Sequence, residues 1–198
     1  RSCSVLAAWD RRAANSSRGV HVWREFWRRA QGVDSLYRIP FSSEDPANTP
    51  RGINVADAGV RAALGKALAE AQTALDALGL PLDAPLSEVQ YERRNGEHIP
   101  IPGGEGWAGM WSVIVTRPGQ EGYTPIIHGN SYIQVVGWNE DGTVNPRAVL
   151  TYSQSEDPAS PHFADLTKLY SAGRMLEMPF YEADIQADPN LVQMTISE

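Results

Sequence analysis

The sequence predicts an α+β fold with a mostly antiparallel sheet, and three observations predict it. Apolar residues recur at helical spacing through residues 1–80. The pattern then changes to period two between Ser87 and Ser155, around Asn-Gly and Asn-Glu-Asp-Gly turn signals. Helical spacing returns after Pro161. The expected organisation is a mainly helical segment over 1–80, followed by antiparallel strands and a C-terminal helix over 81–198, both built into one core.

Residues 4–14, "SVLAAWDRRAA", place Val5, Leu6 and Trp9 on one helical face and Asp10, Arg11 and Arg12 on the other. "NSSRG" interrupts. "VHVWREFWRRAQG" resumes with Val22, Phe26 and Ala30 at four-residue spacing, Trp23 and Trp27 as a second stripe, and Gly32 as the stop. Prolines 40, 46 and 50 make residues 37–51 an extended connection, neither strand nor helix. In "ADAGVRAALGKALAEAQTALDALG", Val60, Leu64, Leu68, Ala71, Leu75 and Leu78 form the clearest helical stripe, ended by Gly79 and Pro81. An exposed run of Val60, Leu64 and Leu68 would mark an interface.

"SEVQYERRNGEHIPI" reads as two extended runs around Asn95-Gly96, a hairpin signal. "MWSVIVTR" and "SYIQVVGW" follow as strands rich in aromatic and β-branched residues, Asn139–Gly142 turns the chain, and Arg147 to Ser153 pairs back. Ser160 stands where an N-cap hydroxyl is wanted, with Pro161 at the first helical position. Phe163, Leu166, Leu169 and Tyr170 then supply a buried face, and Gly173 a left-handed stop.

A net charge of −7 disfavours a nucleic-acid partner, because phosphate binding needs a concentrated positive surface. The arginines at 11, 12, 18, 24, 28 and 29 are interleaved with apolar residues and read as a solvated helix face. Cys3 is the only cysteine, which excludes an intrachain disulfide and a zinc site of paired cysteines. No apolar run approaches the ~18 residues that span a bilayer. The chain opens without Met, inside a helical pattern, and is expected to be a fragment of something longer.

The chemistry-bearing residues converge poorly. Ser131 has His128 nearby, but Gly-x-Ser-x-Gly is absent and the two point to opposite faces of an extended strand. Ser160, His162 and Asp165 are better explained as a helix start than as a triad, the carboxylate favouring the helix dipole. His21, His98, His128 and His162 lack ligand spacing, and no metal or cofactor is expected. Gly103, Gly104, Gly106 and Gly109 lack the Lys-Ser/Thr of a phosphate cradle and read as a mobile loop, while Asp141 and Asp157 read as turn residues.

Three stretches carry a family resemblance: "VLAAWDRRAANSSRGVHVWREFWRRA", "HGNSYIQVVGW" and "RAVLTYSQSEDPASPHFADLTKLYSAGRMLEMPF". Together they resemble the C-terminal part of the β-subunit of the penicillin acylase family, in particular its acyl-homoserine-lactone and aculeacin-type branch, from about Val5 to Pro189. The resemblance implies an αββα N-terminal-nucleophile hydrolase, cut by its own chemistry into α and β chains. A serine at the first position of β attacks an amide carbonyl, its own α-amino group acting as base. Here the first residue is Arg1 and Ser2 is internal. Asn130-Ser131-Tyr132 only loosely echoes the family's oxyanion asparagine motif. No catalytic residue is therefore assigned to any position of this chain.

The implied function is the C-terminal scaffold of an amidohydrolase acting on N-acyl-homoserine lactone, lipopeptide or penicillin-type amides. Its partners would be the remaining α- and β-chain segments and the acyl-amide substrate, and its location the periplasm or the exterior. The alternatives are a non-catalytic binding or scaffolding domain and, last, a hydrolase built on Ser131 and His128.

Overall fold

A computed structural model describes residues 1–196. The fold is mixed α+β, with small antiparallel sheets and flanking helices. The chain divides into two compact units: Arg1–Arg93 with Pro100–His128, and Arg94–Ile99 with the chain from Gly129 onward.

The first unit is organised by three helices. Helix α1 (Ser2–Ala8) is shorter than the 4–14 pattern suggests, since Trp9 already turns to extended backbone. Helix α2 (Val20–Ala30) packs against α3 (Ala58–Ala77). The Asp57 side chain accepts the Val60 N–H at 2.9 Å and so caps α3. Val60, Ala67, Ala71 and Leu75 are its fully buried residues, with Leu64 and Leu68 half-buried. The expected exposed stripe is thus corrected: Val60 is already spent on this unit's own packing. Val20, Val22, Leu75, Leu80, Leu82, Leu86, Val89 and Tyr123 form the core. Each such aliphatic side chain contributes about 1.5–3 kcal/mol by leaving water.

Two readings of the connections change. Residues 37–51 are not wholly unpaired, because β1 (Tyr37–Ile39) and β2 (Arg51–Ile53) form a short ladder. Ser87 to Val89 belong to a single helical turn, α4 (Leu86–Val89). The Leu86 and Ser87 amides donate to the Ser17 and Asn15 carbonyls, which fixes this turn in place of an extended run.

The hairpin appears where Asn95-Gly96 predicts it, between β3 (Tyr91–Arg94) and β4 (Glu97–Pro100). Both turn residues have positive φ, 50° and 77°, as a tight turn matched to strand twist requires. Strand β5 (Val115–Gly119) begins later than "MWSV" suggests, because Trp111 and Ser112 are in a turn. Its antiparallel partner β6 (Gly122–His128) went unread in the sequence, where Pro125 breaks the strand pattern. Gly122 admits this strand: a Cβ there would lie 2.4 Å from the Val89 carbonyl oxygen.

The second unit holds β7 (Tyr132–Trp138), β8 (Val144–Leu150) and β9 (Leu176–Glu177) in one antiparallel sheet, with helices α5 (Asp165–Ser171) and α6 (Glu182–Ala187). Strand β8 runs from Val144, earlier than Arg147, and stops at Leu150, short of Ser153. Val135 and Val136 are 53% and 47% exposed. Successive strand residues face opposite sides, so beyond the buried Ile133 the later part of β7 lacks cover on both. Tyr132 and Trp138 are exposed as well.

Candidate functional site

The segment Ser160-Pro-His-Phe-Ala-Asp165 places its polar side chains close together without making a triad. The Asp165 carboxylate lies 2.8 Å from His162 Nδ1, and both side chains are exposed. The Ser160 hydroxyl oxygen accepts the His162 backbone N–H at 3.1 Å, as a turn acceptor does. Partial burial acts to raise the Asp165 pKa. Hydrogen bonds from the His162 ring and the Leu166 N–H outweigh it, so the carboxyl titrates below its ordinary value.

Helix α5 begins at Asp165, not at Pro161, because the loop first folds back on itself: the Gln154 and Ser155 amides donate to the His162 carbonyl. The capping hydroxyl comes from elsewhere. Ser153, just beyond β8, accepts the Thr167 N–H at 2.9 Å, at the third position of the helix, and pairs with the Thr167 hydroxyl at 3.0 Å. Gly173, at φ 68°, ends the helix as expected.

Within the second unit the hairpin tip clamps this same loop. The Arg94 guanidinium lies 4.9 Å over the Phe163 ring and donates to the Phe163 carbonyl at 3.3 Å. Asn95 donates its side-chain amide to the Pro158 carbonyl, and Lys168 pairs with Glu97. Every interaction of the segment described so far is an anchoring one.

Ser131 and His128 fall in different units, and both are exposed. The Ser131 and Asn130 carbonyls accept from the Thr151 N–H and hydroxyl, which tie the entry of β7 to the exit of β8. Asp141 and Asp157 are turn residues. The Thr143 hydroxyl and N–H bind Asp141 and hold its carboxyl below the usual range, and Asp157 accepts the Ala159 N–H. Among the described residues no group of three His, Cys, Asp or Glu side chains could hold a metal ion, and no helix is long and apolar enough to cross a membrane.

The densest polar cluster is in the first unit, and sequence reading missed it. Arg24 and Glu105 are each 6% exposed and pair at 3.4 Å. Arg28 reaches the same Glu105 oxygen at 3.1 Å, and Arg29 binds Glu25 at 2.8 Å. The Tyr123 hydroxyl donates to Glu25 at 3.0 Å while its ring lies 4.5 Å under the Arg24 guanidinium. Burial lowers the Arg24 pKa, with Tyr123 and Glu105 opposing the shift. Burial together with the Glu25 carboxylate raises Tyr123 far above the ordinary phenol range.

Arg24 is therefore not part of a solvated face. Its partner Glu105 also pins the glycine-rich loop, where the Gly104 N–H donates to the Ser112 hydroxyl and the Gly104 carbonyl accepts from Ile114. That loop is an anchored structural element, correcting the expectation of mobility. The one sequence signal for the cluster was the Glu25–Arg29 spacing of four on a helix.

Among the described residues these polar side chains serve as ion pairs, caps and turn acceptors. A sequence model of the family described as penicillin amidase matches residues 1–187. The chain is 35% identical over 199 residues to an acyl-homoserine lactone acylase, PvdQ, of Pseudomonas savastanoi pv. phaseolicola, covering 99% of this chain and 25% of that protein. It is 33% identical to the protein of the same name in Pseudomonas syringae pv. syringae, again covering 99% and 25%. It is 36% identical to the aculeacin-A acylase of Actinoplanes utahensis, covering 96% and 23%. The chain thus spans about a quarter of the length of these relatives. Matched from its first residue to Ala187, it belongs to the penicillin amidase family.

Proposed function

We propose that these residues form the C-terminal structural share of an amidohydrolase that cleaves acyl amides, and that the reacting groups lie in sequence outside them. The observation that carries this reading is the match to acylases along nearly the whole chain while only a quarter of their length is covered. The uncovered Val135, Val136 and Trp138 of β7 support it, since apolar strand residues of that kind need cover from elsewhere.

On this reading a terminal serine outside these residues attacks the amide carbonyl with its α-amino group as base. The amine leaves, and water hydrolyses the acyl-enzyme. The substrate class is an N-acyl-homoserine lactone, a lipopeptide or a penicillin-type amide. The partners are the remaining segments of the same processed precursor, and the location is the periplasm or the exterior. Within this enzyme, residues 1–80 supply outer helices and residues 81–198 supply strands and a covering helix.

The test compares the complete processed enzyme with the 198-residue segment on long-chain acyl-homoserine lactone, aculeacin and penicillin amides. Release of free amine by the complete enzyme and none by the segment is the expected result. Turnover by the segment alone would falsify the assignment.

A further inference from the structure

The first unit contains a cavity of about 430 Å³, lined by Leu6, Trp9, Arg11, Trp23, Ala108 and Met110. Its volume falls within the range of about 300–1,000 Å³ that holds small organic ligands. Its walls are apolar and aromatic, and its one charged group is Arg11. Neither the polar network around Arg24 nor the proposed amide chemistry uses any of these side chains.

The walls are held before any ligand arrives. Trp9 donates its indole N–H to the Arg12 carbonyl at 2.8 Å, which fixes the ring plane. Trp23 is stacked on Trp27 at 5.1 Å with a 10° tilt, and Trp9 leans against Trp23 at 5.5 Å and 31°, so the three indoles support one another. On the opposite side Met110 packs against Gly104, where a Cβ would come within 2.3 Å of its sulfur. The Gly103 N–H donates to the Ala13 carbonyl at 2.8 Å and ties that wall to the loop carrying Arg11.

Arg11 is presented by a constrained turn. The Asp10 carboxylate accepts the Arg12 N–H at 2.9 Å and the Ser17 hydroxyl at 2.9 Å, and Arg11 between them adopts φ 61°. These bonds occupy the carboxylate of Asp10, the residue before Arg11. Among the described residues Arg11 itself has neither an ion pair nor a hydrogen bond. A rigid aromatic slot with one unpaired guanidinium at its rim fits a molecule with an apolar body and a single carboxylate, which the planar fork can bind through two parallel hydrogen bonds.

From this juxtaposition we infer that the cavity binds amphipathic monocarboxylates, the apolar tail against Trp9, Trp23 and Met110 and the carboxylate on Arg11. A linear fatty acid and an aryl-acetic acid share this chemistry. It is also the class that hydrolysis of an acyl amide releases; only the biological meaning of the site rests on the proposed function, not its existence.

The test uses the complete processed enzyme carrying 5-fluorotryptophan, with the Trp9 and Trp23 fluorine signals assigned from Trp9→Phe and Trp23→Phe. The probes are octanoate, phenylacetate, octan-1-ol and acetate. Octanoate or phenylacetate, but not acetate, is expected to shift both signals saturably, and whichever binds tighter identifies the preferred tail. Arg11→Gln is expected to weaken octanoate roughly tenfold, the scale of one hydrogen bond to a charged group, and to leave octan-1-ol unchanged. Ala108→Phe, which fills the slot, abolishes both shifts.

Signals that stay fixed through millimolar octanoate overturn the inference. So does an Arg11→Gln enzyme that binds octanoate as tightly as the parent, or Trp9 and Trp23 signals shielded from a soluble quencher, which would mean that other parts of the protein fill the slot. Because the readout is binding, it stands apart from the turnover assay that tests the proposed function.

Discussion

Helix α2 and strand β7 invert the usual rule in opposite directions. Helix α2 turns Arg24 and Glu25 inward and leaves Trp23, Phe26 and Trp27 half-exposed, whereas β7 leaves Val135, Val136 and Trp138 facing outward. The first inversion is settled inside this chain, because Glu105 and Tyr123 supply the partners that two buried charges require. The second has no such partner among the described residues, and on the proposed reading it is settled by polypeptide outside them. Buried charge with its counter-charges in place marks a finished region, and displayed valine on both faces of a strand marks an unfinished one.

The sharpest way to break the first half of this comparison is Glu105→Ala, which leaves Arg24 buried without its carboxylate. A loss of about 3–5 kcal/mol is expected, read from hydrogen exchange of the α2 amides in the complete enzyme. The double variant Arg24→Met with Glu105→Leu should recover most of it, because two apolar groups need no counter-charge. The second half is addressed by Val136→Lys. In the complete enzyme a lysine there would be buried unpaired, and a loss of a few kcal/mol is expected in the assembled protein. In the isolated segment the same change should stay within about 0.5 kcal/mol, as for an ordinary surface site. Equal effects in the two settings would mean that β7 is open in the finished protein.

A smaller effect separates the two serines near α5. Ser153→Ala is expected to cost about 0.5–2 kcal/mol through the lost cap, and Ser160→Ala less than about 0.5 kcal/mol, measured by thermal unfolding of the second unit. The smallest is a pH effect at His21. Burial depresses its pKa, its Nε2 lies 2.8 Å from the Pro81 carbonyl, and its Nδ1 has no hydrogen-bond partner among the described residues. The depressed folded-state value means that the stability is present above the unfolded pKa of about 6.5 and is lost as pH falls below it. His21→Gln, which keeps a donor for Pro81, should flatten that acid-side slope in a pH series of melting temperatures.

What the sequence made legible was local. The α3 stripe, the Asn95-Gly96 hairpin and the Asn139–Gly142 turn each depend on neighbours a few residues apart, and each is present. Strand β6 was hidden by Pro125, and the β1–β2 ladder by Pro40, Pro46 and Pro50, since proline removes the donors by which a strand is usually judged. The start of α5 was misplaced because its cap crosses fourteen residues, from Ser153 to Thr167. The cluster around Arg24 was illegible for the same reason at greater range, its partners lying 77 residues along the chain from Arg28 and 98 from Glu25. Of the candidate site, residue spacing gave turn roles to Asp141 and Asp157 and a first-turn place to Asp165, misassigned the cap to Ser160, and could not reveal Arg11 and its aromatic slot, which are joined only by folding.

The bond from the Tyr123 hydroxyl to Glu25 closes the first unit at almost its last residue. During translation Glu25, already paired with Arg29 on the same helix, must wait for 98 further residues before the Tyr123 hydroxyl reaches it, a delay of roughly 5–20 seconds at ordinary elongation rates. A nascent chain stalled in that interval holds an α2 whose inward Glu25 still lacks this hydroxyl, so the polar cluster is completed only once β6 has been made.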